Sequence, residues 1–321
     1  MTDSLATPLR VIFMGTPYFA LPALSGLVDA GHEVVAVFTR PDRRAGRGRR
    51  AAIPPIKAYA EERGLPISQP VSLRRDKEAR EQIASLAPDV IVVAAYGAFL
   101  PDDTLAVPRF GCLNIHPSLL PRHRGPSPVP SAILDGDEET GVSLMKLDSG
   151  MDSGPILAQR RTPIGPSETR NELTPRLFRM GADLLIETLP GWAAGDVSAQ
   201  PQNDSRATVS KLLEREDGRI DWSRSAQHIG RMVRAFDPWP GTFTTWRGKS
   251  LKILEAFPAT STQTAGAPAD VVPLPNDGIG VVTGKGVLEL ATIQLEGKRP
   301  ASVREFVQGH CGFVGYRLET E

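Results

Sequence analysis

The sequence predicts an α/β chain in which an open, doubly wound, mainly parallel sheet comes first and a smaller β-rich domain follows. Three observations carry this. Over the first half of the chain, short apolar runs suited to buried strands alternate with stretches of helical apolar spacing. The first strand, helix and strand fit within about thirty residues, the size of a βαβ unit with two parallel strands. From Ser210 the texture changes to one helical segment followed by short β-forming runs separated by glycine turns.

Residues 9–14 (LRVIFM) read as a buried strand; Gly15 turns the chain, and Thr16 is placed to cap a helix with Pro17 in its first turn. Leu21, Leu24, Leu27 and Val28 share one face of that helix, which ends near Gly31. Residues 33–39 (EVVAVFT) are the next strand. Residues 55–63 fit a helix closed by Gly64, and residues 72–86 fit another. Residues 89–95 (DVIVVAA) form the most apolar strand, as the centre of a parallel sheet requires. A further short strand covers 112–115. Residues 167–189 carry Leu173, Leu177, Leu184, Leu185 and Leu189 as a closing helix, with Thr169 and Glu172 as its capping box and Pro175 implying a later start or a kink. Residues 191–209 are polar and read as an interdomain linker, giving domains at 1–190 and 210–321. In the second domain a helix at 226–236 precedes strands at 241–246, 250–257, 278–283 and 286–295, with a hairpin turn at Gly284-Lys285-Gly286. That is a small α+β or barrel domain.

The chain has 321 residues, enough for two ordinary domains. Its 37 basic and 37 acidic residues cancel, so a case for nucleic acid must come from a local cluster. Cys112 and Cys311 make neither a disulfide framework nor a metal pattern, which fits a reducing cytoplasm. No positively charged start is backed by an apolar core and no run of 18 apolar residues occurs, so neither a signal peptide nor a membrane span is expected.

The first βα turn, MGTPYFA, has one glycine and lacks the G-x-G-x-x-G fingerprint, which argues against NAD or FAD. Asn114 and His116 lie at the carboxyl end of a strand, where open α/β sheets bind ligands, and residues two apart point to the same side. Such a pair converges on one small volume, or else satisfies a loop. Downstream, LDSGMDSGPIL sets Asp148 and Asp152 among Gly150 and Gly154, either a loop that brings a carboxylate close to something or a surface turn. Together these segments supply an amide donor, an imidazole and a carboxylate, the groups that acyl transfer to an amine needs. One His, one Asn and one Asp do not make a zinc set, and the G-x-S-x-G elbow of a serine hydrolase is missing. Residues 40–50 (RPDRRAGRGRR) hold six arginines in a glycine-containing loop, suited to phosphate contact or simply solvated.

The combination of LNIHPSLLPRHRG, LDSGMDSGPIL, FTRPDRRAGRGRR and RIDWSRSAQHIGRMVRAFDPWPGTF resembles the methionyl-tRNA formyltransferases over nearly the whole chain. The SLLPR-x-RG core is shared with a wider group that uses 10-formyltetrahydrofolate. The resemblance implies a Rossmann-like formyltransferase domain followed by an OB-like barrel domain that holds the tRNA acceptor arm. It implies Asn114, His116 and Asp152 as catalytic residues. Ser118, Leu119, Leu120 and Pro121 match the folate-contact segment, and Tyr96, Gly97, Ala98, Phe99 and Leu100 the wall of the pterin pocket. Asp148 matches a supporting position counted with the folate set. Arg43, Arg44, Arg47, Arg49 and Arg50 match the basic insertion that grips tRNA. The implied co-substrate is 10-formyltetrahydrofolate, with no metal and no NAD, and the implied partner is initiator methionyl-tRNA, served by a cytoplasmic monomer away from membranes. Pro117, His123 and the proline-rich PSPVPSAI depart from the usual family pattern. An amino sugar nucleotide or a purine-pathway amine is the alternative acceptor, although neither would need the arginine loop or a tRNA-binding domain. A folate-binding hydrolase is a further alternative.

Overall fold

The structure, a computed structural model, describes residues 8–45, 50–260 and 266–319. It divides into two compact units, one of residues through Pro128 with Glu139–Pro163 and Thr174–Ser210, the other of Val129–Glu138, Ile164–Leu173 and the chain from Lys211.

In the first unit β1 (Arg10–Gly15), α1 (Leu21–Asp29) and β2 (Glu33–Phe38) form the expected right-sized βαβ start. Thr16 does not cap the helix. Its hydroxyl donates to the Tyr96 carbonyl and accepts from the Arg40 amide, tying together the ends of three strands, while a short 3-10 turn at Tyr18–Ala20 leads into α1. The arginine-rich segment begins and ends in paired strands, β3 (Arg43–Ala45) and β4 (Arg50–Ala52). Then come α2 (Pro55–Glu62), β5 (Ile67–Ser68) and α3 (Lys77–Ser85). The last starts later than its sequence suggests because Asp76 caps it, accepting from the Ala79 amide. After β6 (Val90–Ala94), α4 (Asp102–Leu105) and β7 (Cys112–His116) the chain passes through α5 (Pro128–Asp135), which from Val129 on belongs to the second unit, and two strands unforeseen in the sequence follow in the first, β8 (Glu139–Lys146) and β9 (Ile156–Pro163). The helix α6 (Arg170–Ala194) contains both Pro175 and Pro190.

The seven strands run β5-β2-β1-β6-β7-β8-β9, the first five parallel and β8 antiparallel to both its neighbours β7 and β9, with the apolar β6 in the middle. Strand alternation feeds two cores. Val11, Phe13, Val92, Leu113 and Ile115 enter one, with Leu24, Leu27 and Leu185 of the helices. Ile12, Met14, Ile91, Val93 and Cys112 enter the other, with Ile83. Each fully buried side chain of this kind stabilises the fold by about 1.5–3 kcal/mol.

Residues 191–209 are not a free linker. Gln200 and Ile156 exchange backbone hydrogen bonds at 2.8 Å, and the Ser210 amide donates to the Arg124 carbonyl at 2.7 Å. Three of its polar side chains, Gln202, Asp204 and Thr208, bond to residues 123–124 and 152–154 of this first unit.

In the second unit, α7 (Ala226–Ala235), β10 (Thr242–Trp246), β11 (Lys249–Pro258), β12 (Val271–Leu274), β13 (Gly278–Val282), β14 (Val287–Leu295), β15 (Ala301–Ser302) and α8 (Val303–Gly309) surround a core built on Trp222, Ile229, Leu251, Ile293 and Phe313. The sheet is antiparallel in the order β10-β11-β14-β13-β12, with β15 on β14. Arg317 pairs with Asp270 beside β12 and Glu319 pairs with Thr245 in β10, so the C-terminal stretch bridges the two edges of the sheet. An edge bridged in this way is protected from stray pairing.

Candidate active site

The site is built from the end of β7 and two loops. Along β7, Leu113 and Ile115 point into one core, which leaves Asn114 and His116 in phase with Cys112 on the other face. Asn114 is half-buried, and its side-chain amide makes no hydrogen bond among the described residues. His116 is buried, and its Nε2 lies 2.9 Å from the His123 carbonyl oxygen. A carbonyl only accepts, so Nε2 carries a proton and the neutral ring keeps its lone pair on Nδ1. That Nδ1 faces Asp152 Oδ2 at 3.7 Å, beyond a direct hydrogen bond.

Burial pushes the His116 imidazole below the ordinary histidine range; the Asp152 carboxylate and the His123 carbonyl act the other way, and the nearby His123 ring adds to the lowering. Asp152 sits at φ +50°, a conformation that Asp and Asn tolerate better than most residues. Its Oδ2 accepts from the Gly125 amide at 2.8 Å. Two residues on, Gly154 passes so close to β8 that a Cβ there would lie 1.9 Å from the Lys146 carbonyl oxygen.

The structure brings Asn114, His116 and Asp152 to one end of the sheet. Asp148 turns inward on its own loop, its carboxylate accepting from the Gly150 amide and the Ser153 hydroxyl. Ser118 is fully buried, its hydroxyl donating to the Arg122 carbonyl. Leu119 and Pro121 are half-buried and Leu120 is buried. In the 96–100 loop, Gly97 takes a positive φ and Phe99 is 68% exposed, whereas Leu100 packs against the core. Tyr96 belongs to that core, and burial drives its phenol up to about 12. Of the arginines, Arg43, Arg44 and Arg50 lie in β3 and β4, while Arg47 and Arg49 fall outside the described residues. Arg124 is buried, and its guanidinium binds Gln202 Oε1 and Asp204 Oδ1.

Several supporting residues escape a reading of the sequence. Ser143 in β8 accepts from the Leu120 amide and donates to the Ser118 carbonyl, and Gln159 in β9 donates to both the Leu120 carbonyl and Ser143. A polar residue inside the apolar run VSLM was the available signal for Ser143. Thr208 accepts from the His123 amide, and nothing in its sequence context marks it.

Two family models match the chain, Formyl transferase over residues 9–189 and Formyl transferase, C-terminal domain over residues 212–311. A methionyl-tRNA formyltransferase of Roseiflexus sp. (strain RS-1) is 50% identical over 312 residues, covering 97% of this chain and 95% of that protein. The chain belongs to the methionyl-tRNA formyltransferase family. The methionyl-tRNA formyltransferase of Geobacter metallireducens is 43% identical over 310 residues, 97% of this chain and 98% of that one. Among solved structures, HypX from Aquifex aeolicus in complex with tetrahydrofolic acid matches 96% of this chain at TM-score 0.65 and 19% identity. This chain spans about half of HypX, 48% of its length. The sugar 3N-formyltransferase WlaRD matches 91% of this chain and 99% of its own at TM-score 0.66 and 15% identity. At such identities these likenesses show the formyltransferase fold alone. No helix among the described residues is long and apolar enough to cross a membrane, and they contain no group of three or more metal-ligating side chains.

Proposed function

We propose that the chain transfers a formyl group from 10-formyltetrahydrofolate to the α-amino group of methionyl-initiator tRNA, with Asn114, His116 and Asp152 as the catalytic groups. The observation that carries the reading is an amide with no hydrogen-bond partner among the described residues and a buried imidazole on one strand face, with a carboxylate 3.7 Å from the imidazole's second nitrogen. The near full-length identity to methionyl-tRNA formyltransferases supports the acceptor.

The amine attacks the formyl carbon, and the carbonyl oxygen becomes an oxyanion that the Asn114 amide stabilises. The nitrogen must lose a proton as the new C–N bond forms. His116 Nδ1 takes it, because burial keeps the ring neutral and Nε2 is already committed to the His123 carbonyl. Asp152 steadies the resulting imidazolium through space. Breakdown of the intermediate cleaves the bond to N10 of the folate, and Nδ1–H returns the proton to that nitrogen. Atoms and protons balance with no metal and no nucleotide cofactor in the scheme.

In this reading the folate lies along Ser118–Pro121 and the 96–100 loop, with Asp148 shaping the neighbouring turn. The arginines of residues 43–50 meet tRNA phosphates, the second unit holds the acceptor arm, and the chain works as a cytoplasmic monomer. The test is formyl transfer from 10-formyltetrahydrofolate to charged initiator tRNA, beside free methionine, an amino sugar nucleotide and no acceptor. Transfer to the charged tRNA alone is the expected result. Formate release without acceptor, or transfer to the sugar nucleotide, overturns it.

A further inference from the structure

Two loops carry the groups that fix the reacting imidazole, and they are separate in sequence. Residues 121–125 present the His123 carbonyl that accepts from His116 Nε2. Residues 148–154 present Asp152, which faces His116 Nδ1. The Gly125 amide already reaches the Asp152 carboxylate, and one side chain from outside both loops, Gln202, adds a second tie between them. The Gln202 amide nitrogen donates to the Asp152 carbonyl at 2.8 Å and to the Gly154 carbonyl at 2.7 Å. Its amide oxygen accepts from Arg124 Nε at 3.0 Å. Both donors and the acceptor of one amide are thus used, two on the Asp152 loop and one on the His123 loop.

The surroundings show why this link counts. The Asp152 loop holds its catalytic residue at a positive φ, a conformation that needs external support. On the other side, Arg124 is buried and adds an ion pair to Asp204 at 2.7 Å, two residues from Gln202. The backbone of the same segment follows the His123 loop. Thr208 accepts from the His123 amide through its hydroxyl and from the Arg124 amide through its carbonyl.

We propose that Gln202 is a positioning residue for formyl transfer, its amide tying the Asp152 loop to the His123 loop and so setting the geometry between His116 and Asp152. This rests on the catalytic reading of His116 and Asp152 given above. Gln202 does not touch the substrate; it acts through the two loops. Removing its side chain leaves the segment attached, because the Gln200–Ile156 backbone pair and the Thr208 contacts are independent of it.

The test is a kinetic comparison of Q202L, Q202E, D152N and the Q202L/D152N double variant, in the full chain with charged initiator tRNA and 10-formyltetrahydrofolate. Thermal unfolding is followed in parallel. Misplacement of reacting groups by an ångström costs about 10²-fold, so Q202L is expected to lose about 10- to 100-fold in kcat with KM for both substrates nearly unchanged. Q202E should lose as much, since an ionised carboxylate keeps an acceptor for Arg124 but has no donor for the two carbonyls. The double variant should lose no more than the worse single variant, because the place of a missing charge no longer matters. Wild-type kcat in Q202L, activity in Q202E that Q202L lacks, or losses that multiply in the double variant each overturn the proposal. Wild-type kcat in D152N overturns the reading of Asp152 and the proposal with it, whereas an impaired D152N beside an unimpaired Q202L overturns the proposal alone.

Discussion

Replacing Asp152 by asparagine isolates what its charge does. The substitution is conservative in shape: asparagine tolerates φ +50°, and its side-chain oxygen keeps an acceptor for the Gly125 amide. The negative charge, 3.7 Å from His116 Nδ1, is what disappears. At that separation two unit charges interact by about 1 kcal/mol with the dielectric of water and by about 4 kcal/mol at an effective value of 20. His116 is buried and Asp152 is mostly buried, so the pair falls toward the upper part of that range. The sign follows from which state the carboxylate favours. It stabilises the imidazolium and holds the His116 pKa up against burial, which has already pushed it below the ordinary value. The proposed mechanism requires the neutral ring, so wild-type kcat is expected to fall as pH drops through the folded-state pKa. Without the carboxylate that pKa drops further, and the acid limb of the kcat profile moves to lower pH. The plateau falls by about 10- to 10³-fold, since the same energy is lost from the transition state. The assay is formyl transfer to charged initiator tRNA at saturating substrates across the pH range. An acid limb that stays in place or moves upward, or a plateau at wild-type height, would refute the reasoning.

Three further outcomes are expected. Asn114→Ala should lower kcat by about 10²–10³-fold, while the melting temperature stays near wild type because the amide has no partner to lose among the described residues; a retained rate would remove Asn114 from the mechanism. Gly154→Ala forces a Cβ against the Lys146 carbonyl, with 1.9 Å available, and overpacking of this kind destabilises by about 1–3 kcal/mol, to be read from denaturant unfolding. Iodoacetamide on the native protein should label the exposed Cys311 and spare Cys112, whose buried thiol is pushed up to about 12, until the chain is unfolded; equal labelling, measured by peptide mass, would contradict the buried position.

The features legible in the sequence are those that one element decides by itself. The middle strand β6 is apolar on both faces, and its neighbours demand that. Asn114 and His116 share a side because a strand has a period of two. Less visible was anything fixed by partners distant in sequence. The strand β9 alternates half-buried and exposed positions from Ala158 to Pro163 as an edge strand does, but Arg160, Arg161 and Pro163 hid it among loop residues. Residues 191–209 look like a linker because polar side chains usually meet water, whereas here Gln202, Asp204 and Thr208 meet the loops of the site. Asp148 and Asp152 sit in near-identical D-S-G contexts, yet one carboxylate closes its own turn and the other faces a histidine. The positive φ at Asp152 and its distant partners Gly125 and Gln202 set it apart from Asp148.

The distance between Asp152 and His116 is itself part of the proposed chemistry. A base has to be neutral before the amine arrives and charged immediately after. Burial serves the first requirement, and a nearby carboxylate serves the second, but the two oppose each other. Were Asp152 at ordinary hydrogen-bond distance, about 2.8 Å, it would draw a proton onto Nδ1 in the resting state. The nitrogen facing the site would then be a donor, with no lone pair for the amine. At 3.7 Å the carboxylate is too far to fix that tautomer and close enough to favour the imidazolium once it forms. The His123 carbonyl secures the arrangement from the other side by claiming Nε2–H. In the proposed mechanism a single ring atom takes the proton from the incoming nitrogen and gives it to the departing one, so the rate depends on the register in which the two loops are held.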